Sequence, residues 1–177
     1  MLTIDRLIIR PFLKSDHADL YEYLSLEETY RYEPGQPITK AEARKMAEER
    51  AGGSDFRAVT LKEKPQKLIG HVSFIQQEPK QFRTWEIGFI FNPAFQNKGY
   101  ATEASRAIIE HAFKERNAHR VVGYCAVDNV ASRRVLEKCG LRREGLLRKN
   151  AFFYEDENGK PRWFDSHQYA ILAEDRR

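Results

Sequence analysis

The stretch Glu86-Ile87-Gly88-Phe89-Ile90-Phe91-Asn92-Pro93-Ala94-Phe95-Gln96-Asn97-Lys98-Gly99-Tyr100-Ala101-Thr102 reads as a strand, a short loop and the first turn of a helix. Thr84 to Phe91 is rich in aromatic and β-branched residues, the composition of a half-buried pleated strand. Ala101 to Glu115 places Ala101, Ala104, Ile108, Ala112 and Phe113 on one helical stripe. Between them lies Gln96-x-x-Gly99-x-Ala101. Amides at a helix start have no internal partners, and the helix dipole adds partial positive charge there. Gly99 lets the backbone approach a bulky anion, and Lys98 adds a full charge beside it. The combination suits a pyrophosphate. Neither Gly-x-x-x-x-Gly-Lys-Ser/Thr nor Gly-x-Gly-x-x-Gly occurs, which disfavours a P-loop and a dinucleotide fold. Alone, one glycine before a helix marks no more than a strand–helix turn, so the surrounding sequence has to decide.

Downstream, Arg120 to Val127 reads as a strand and Ala131 to Cys139 as a helix that Gly140 stops. Leu141 to Tyr154 and Trp163 to Leu172 form a final pair of strands around a turn at Asn158-Gly159. Upstream, Leu2 to Arg10 is a strand closed by Pro11, and Ser15 or Asp16 caps a short helix bearing Leu20, Tyr23 and Leu24. Leu26 to Ile38 contains Pro34, Gly35 and Pro37 and is a loop that also carries Glu27, Glu28, Glu33, Tyr30 and Tyr32. Thr39-Lys40-Ala41-Glu42 is a capping box for a helix ending at Gly52-Gly53. Phe56 to Leu61 and Leu68 to Ile75 pair antiparallel across a charged turn through Lys64-Pro65. The order predicts a mixed α+β sheet, largely antiparallel, of about seven strands with about four helices and one parallel pair. A ligand is expected at that pair.

The 177 residues match one domain, with a core over about 5–174, and need no disulfides or metal to hold together. Apolar residues at 41% and aromatics at 12% exclude a disordered chain. Cys125 and Cys139 cannot build a disulfide framework or a metal quartet, and no apolar run reaches the ~20 residues that span a bilayer. A soluble, cytoplasmic protein without a membrane partner is expected. The formal net charge is +4. Residues 98–149 hold twelve Lys and Arg against six Asp and Glu, whereas the first 60 residues hold nine against eleven. The basic excess therefore falls on the segment proposed to hold an anion.

About thirty residues after the glycine loop come Asn129-Val130-Ala131-Ser132 and Glu137-Lys138-Cys139-Gly140-Leu141. With Gln96-x-x-Gly99-x-Ala101, these resemble the two cofactor-side motifs of the GCN5-related N-acetyltransferases (GNAT), although Leu141 stands where Phe is commoner. Thr3-x-x-Arg6-Leu7-x-x-Arg10-Pro11 and the stretch from Glu144-Gly145 through Asp165 to Tyr169 are similar to the ribosomal-protein alanine and serine N-acetyltransferase branch. The resemblance covers essentially the whole chain. It implies a splayed parallel strand pair that holds acetyl-CoA, with no metal. It also implies that Phe89, Ile90 and Phe91 lie along the pantetheine arm. The amides of Asn97, Lys98, Gly99, Tyr100, Ala101 and Thr102, in the motif opened by Gln96, would hold the pyrophosphate. Asn129 would contact the pantetheine amides from the other side.

Attack of a neutral amine on a thioester needs a proton acceptor and a donor to the leaving thiolate. Many relatives use a Tyr donor; here Leu136 stands at that place and Ser132 is the natural substitute, its alternative role being a helix-terminal Ser bonded to backbone. Glu86 is the favoured base. It shares a strand face with Gly88, and its apolar neighbours Trp85, Ile87 and Phe89 would raise its pKa; a solvated Glu paired with an Arg is the alternative.

His71 reads as a packed strand residue, His17, His111 and His119 as surface residues, and His167 as a final-strand residue without a matched partner. Cys125 and Cys139 read as core thiols. The Arg142-Arg143 and Arg148-Lys149 pairs read as a solvated strand face. The expected activity is acetyl transfer from acetyl-CoA to a primary amine: a ribosomal-protein N-terminus, or else an amino acid, polyamine or antibiotic. A non-catalytic CoA sensor and a nucleic-acid module are the competing classes. Exposed C-terminal edge strands predict a homodimer.

Overall fold

A computed structural model describes residues 1–175. Its strands are β1 (Leu2–Thr3), β2 (Leu7–Arg10), β3 (Phe56–Leu61), β4 (Lys64–Gln76), β5 (Thr84–Phe91), β6 (Arg120–Ala126), β7 (Arg142–Glu155) and β8 (Pro161–Leu172). The helices are α1 (His17–Leu24), α2 (Lys40–Gly52), α3 (Tyr100–Glu115) and α4 (Val130–Lys138). All eight strands form one sheet in the order β1-β2-β3-β4-β5-β6-β8-β7. Every pairing is antiparallel except β5 with β6.

The eighth strand arises because the expected first strand is two. Ile4 N donates to Leu7 O at 3.0 Å, folding Leu2–Thr3 back on Ile8 and Ile9. Asp5 and Arg6, both exposed, occupy the bend. The hairpin turn after β3 falls on Lys62-Glu63, and Pro65 is taken into an irregular start of β4, where it costs no regular ladder bond. The capping box at Thr39 and Glu42 forms, with Glu42 N donating to Thr39 Oγ1 at 3.2 Å and Thr39 N to Glu42 Oε2 at 2.7 Å. Asp16 stands at the start of α1 without capping it. Its buried carboxylate instead accepts Arg10 Nη1 and Nη2 at 2.8 and 2.7 Å and Leu13 N at 2.8 Å.

Alternation along the strands gives the sheet two apolar faces. Ile87, Val121 and Cys125 pack with Ala104, Ile108 and Ala112 of α3 and Leu136 of α4. On the opposite face Ala58, Leu68 and Ile90 meet Leu20, Tyr23 and Leu24 of α1 and Ala47 of α2. The parallel seam is short: Thr84, Trp85 and Glu86 pair with Arg120, Val121 and Val122. Beyond Glu86, β5 keeps β4 on one side and β6 keeps β8 on its far side, with no ladder between them. Leu136 sits over the parting strands at Gly123, where a Cβ would lie 2.7 Å from its Cδ2. Strand β7 is a sheet edge, and Leu146, Phe152, Tyr154 and Trp163 of the last hairpin are exposed.

Candidate active site

The gap between the splayed strands opens into a cavity of about 630 Å³, within the usual range for small-molecule sites. One wall is the end of β5 (Phe89, Ile90, Phe91), the loop after it and the first turn of α3; a second is α4 from Asn129 to Lys138. Residues 28–33 form the third.

Local bonds shape the loop. Asn92 Oδ1 accepts Ala94 N at 3.0 Å, and Gln96 Nε2 returns to Phe91 O at 2.9 Å. Asn97 and Gly99 both take left-handed backbone, φ +59° and +82°. A Cβ at Gly99 would face only the Arg6 guanidinium, at 3.4 Å, so its necessity there is conformational. Helix α3 begins directly after it. The amides of Tyr100, Ala101 and Thr102 lie in the first turn, where the ladder cannot reach them, and all three residues line the cavity. The helix is 16 residues long, so its dipole adds to them. Arg6 braces this turn from the N-terminal bend. It pairs with Glu103 at 2.7 Å, donates from Nη1 to Lys98 O at 3.1 Å and lies over the Tyr100 ring at 4.6 Å.

On α4, Asn129 is the N-cap, and its Oδ1 accepts Ser132 N at 3.1 Å, which leaves its amide NH₂ without a partner among the described residues. The Ser132 hydroxyl makes no hydrogen bond among the described residues, and Ser132 lines the cavity. Arg134 and Lys138 add positive charge to this wall. Leu136 is buried in the core.

The face of β5 turned toward α1 and α2 carries Glu86, Gly88 and Ile90, cross-strand from Ile75, Ser73 and His71. Glu86 is the last residue of the parallel seam. Partial burial pushes its carboxyl above the ordinary 4.5, and its charge contributes to the raised phenol of Tyr124 two residues along β6 from its partner. It has no ion pair among the described residues. His71 is buried and sits 2.6 Å from the Tyr23 hydroxyl, and burial holds it well below its ordinary range, hence neutral. Burial also pushes both thiols, Cys125 and Cys139, up to about 11, which leaves them unreactive at neutral pH.

Of the residues singled out from sequence, Phe89, Ile90, Phe91, Gln96, Asn97, Gly99, Tyr100, Ala101, Thr102, Asn129 and Ser132 line this one cavity. Two do not. The Lys98 ammonium turns back to Ala94 O at 3.0 Å and over the Phe95 ring, and Glu86 stands at the apex of the splay, outside the lining. Arg6 and Lys138 stand inside the family-like motifs and Arg134 in none, and the sequence assigns none of the three a site role. Folding brings Arg6 to the glycine loop, and Arg134 and Lys138 line the cavity from α4.

A strand pair that parts beside a helix N-terminus, with a left-handed glycine before that helix, is the architecture of an acyl-CoA-dependent acyltransferase. The acetyltransferase (GNAT) domain family matches residues 6–142 of this chain, and the chain belongs to that family. It is 37% identical over 174 residues to the uncharacterized N-acetyltransferase YnaD of Bacillus subtilis, covering 98% of each. The crystal structure of a GNAT-family acetyltransferase from Bacillus anthracis superposes with a TM-score of 0.88 at 35% identity, covering 98% of both chains. A structure of RimL, a ribosomal L7/L12 α-N-protein acetyltransferase in complex with coenzyme A, shares the fold with a TM-score of 0.79 at 21% identity, covering 97% of this chain and 96% of that one. The protein is an N-acetyltransferase. None of its described helices is long and apolar enough to cross a membrane.

Proposed function

We propose that the cavity binds acetyl-CoA along β5 and the α3 N-terminus and passes the acetyl group to a primary amine. The observation that carries this is the open inner edge of β5 beyond Glu86, continuous with the left-handed turn at Asn97 and Gly99. Backbone groups on that edge lack ladder partners, and a ligand amide supplies them. The unpartnered first-turn amides fit a pyrophosphate. The CoA complex of the RimL relative supports the same donor here, and its ribosomal substrate supports a protein N-terminal α-amine as acceptor.

Bound acetyl-CoA supplies the activated thioester carbonyl; the chain supplies position and proton management. Phe89, Ile90 and Phe91 align the pantetheine arm by backbone bonds, with the free Asn129 amide on the other side. Gln96 holds the loop of Asn97 to Thr102 in its anion-binding shape. Glu86 accepts, through water, the proton that the attacking ammonium must lose. Its partial burial favours the neutral acid and so strengthens the carboxylate as a base. The Ser132 hydroxyl donates to the departing thiolate.

Thiol release from acetyl-CoA in the presence of a panel of amines and N-terminal peptides tests the reading and identifies the acceptor. With the acceptor found, Glu86→Gln is expected to lower turnover and move the acidic limb of the pH profile. Full activity with an unchanged profile removes Glu86 from the mechanism. A chain that is stabilised thermally by acetyl-CoA yet never releases thiol is a CoA sensor.

A further inference from the structure

The third wall of the cavity belongs to a strap, residues 27–33, held from four points. Thr29 Oγ1 donates to Tyr23 O at 2.6 Å, and Tyr30 OH donates to Leu24 O at 3.0 Å. Ile38 N closes the segment onto the same Leu24 O at 2.9 Å. Across the cavity, Tyr32 OH reaches Asp128 O at 3.4 Å, in the turn before α4. Gly35, at φ +112°, packs against the Tyr30 ring, with 3.3 Å between its Cβ position and Tyr30 Cε1. A segment of short 3₁₀ structure is thus anchored to α1 at one end and to the α4 side at the other.

On this strap, Glu33 is half-buried, lines the cavity and makes neither hydrogen bond nor ion pair among the described residues. Its neighbours do not neutralise it. Arg31 is exposed and lies over the Tyr32 ring at 5.3 Å, and the α4 cations Arg134 and Lys138 belong to a different wall. Glu28 is a second, exposed carboxylate of the same lining. An unpaired carboxylate withdrawn from water is costly unless a cation arrives to pair with it. Nothing in the donor's chemistry asks for one, since its phosphates are repelled by acid. The amine acceptor, cationic in water, does.

We propose that Glu33 is the acceptor-recognition residue: its carboxylate receives a primary ammonium of the acceptor on the strap side of the cavity, opposite the basic α4 wall. This deepens the acetyl-transfer reading and rests on it. Glu33 is a specificity residue; removal of the proton from the reacting nitrogen stays with Glu86. Desolvation raises the free Glu33 carboxyl to about 7, so its pairing capacity switches on across neutral pH.

The ammonium has two possible sources, a small aliphatic amine or a peptide N-terminus, and both are tested on the whole chain with acetyl-CoA absent. The Glu33 carboxyl is followed by ¹³C NMR and assigned by its loss in Glu33→Gln, in titrations with 1,4-diaminobutane and with an unblocked alanine-led tetrapeptide. The charged groups sharing the cavity are Glu28 and Arg31 on the strap and Arg134 and Lys138 on α4; Tyr30 and Tyr32 flank Glu33. A fall in the Glu33 midpoint with either ligand is expected. Diaminobutane should bind about tenfold more tightly at pH 8 than at pH 6, the gain in ionised carboxylate around a midpoint near 7. Glu33→Gln should flatten that dependence and Glu33→Asp should restore part of it. A Glu33 midpoint that neither ligand moves overturns the proposal. Thermal stabilisation by acetyl-CoA is read in parallel on wild type and Glu33→Gln. Its loss in both indicts the acetyl-transfer reading, whereas its retention with an unmoved Glu33 indicts the recognition role alone.

Discussion

The donor wall of the cavity, built from β5, the loop at 92–99 and the starts of α3 and α4, presents mainly backbone; the strap at 27–33 presents side chains. On the donor wall, Gln96, Asn92 and the Asn129 carbonyl oxygen are spent on shaping the chain. What remains for a ligand is chiefly an open strand edge and helix amides, with the Asn129 NH₂ and the Ser132 hydroxyl beside them. On the strap the Thr29 and Tyr30 hydroxyls are spent on the backbone carbonyls of Tyr23 and Leu24, and what remains is Glu33. On the proposed reading, the difference means that the part of the substrate shared across a family is read by groups every residue possesses. The variable part is then read by a side chain that one substitution can exchange.

The sharpest way to test that contrast is pH-dependent stability. Glu33 stays protonated in the folded chain up to about 7, against an ordinary 4.5. Between those values the folded state binds more protons than the unfolded one. Stability therefore falls as pH rises from 5 to 8, by at most about 3 kcal/mol from this group. Urea denaturation at both pH values should show Glu33→Gln losing this part of the slope; equal slopes would mean that Glu33 is well solvated.

Next in size is Ser132→Ala. It is expected to reduce kcat about 100-fold with acetyl-CoA affinity intact, and undiminished turnover would return Ser132 to a purely helical role. Gly99→Val strains a φ of +82° by about 1–2 kcal/mol. Acetyl-CoA binding by calorimetry should weaken by roughly 20-fold while the Glu33 titration keeps its midpoint. If both change together, the two walls are not independent. Smallest is Arg6→Ala, which releases the exposed pair with Glu103. About a threefold loss of acetyl-CoA affinity is expected, diminishing at high salt, with kcat unchanged. A kcat effect instead would place Arg6 nearer the chemistry than the loop.

The donor wall was legible from sequence because its determinants are local. Gly99 precedes a helix stripe, Asn129 stands three residues before Ser132, and the Asn92, Gln96 and Asn129 side-chain bonds in these turns span five residues or fewer, with Arg6 a long-range brace beside them. Asp16 shows how local reading fails: it has the right type and place for a cap, yet the half-buried Arg10 guanidinium from β2 takes its carboxylate instead. The charge surplus between residues 98 and 149 was also readable, but its use was not. Lys98 folds back on Ala94, whereas Arg134 and Lys138 reach the cavity.

Sequence alone determined the family, most of the order of elements, and the loop and capping residues that line the cavity, because periodicity, left-handed glycine and helix caps act within one or two turns of chain. Only the tertiary structure decided where the parallel seam ends, at Glu86, and that the strap forms a wall of the cavity with Glu33 in its lining and unpaired among the described residues. Those outcomes depend on contacts between Tyr32 and Asp128, Tyr30 and Leu24, and Leu136 and Gly123. Whether a carboxylate is solvated, paired or left waiting is set by what the rest of the fold packs against it, which no short window of sequence contains.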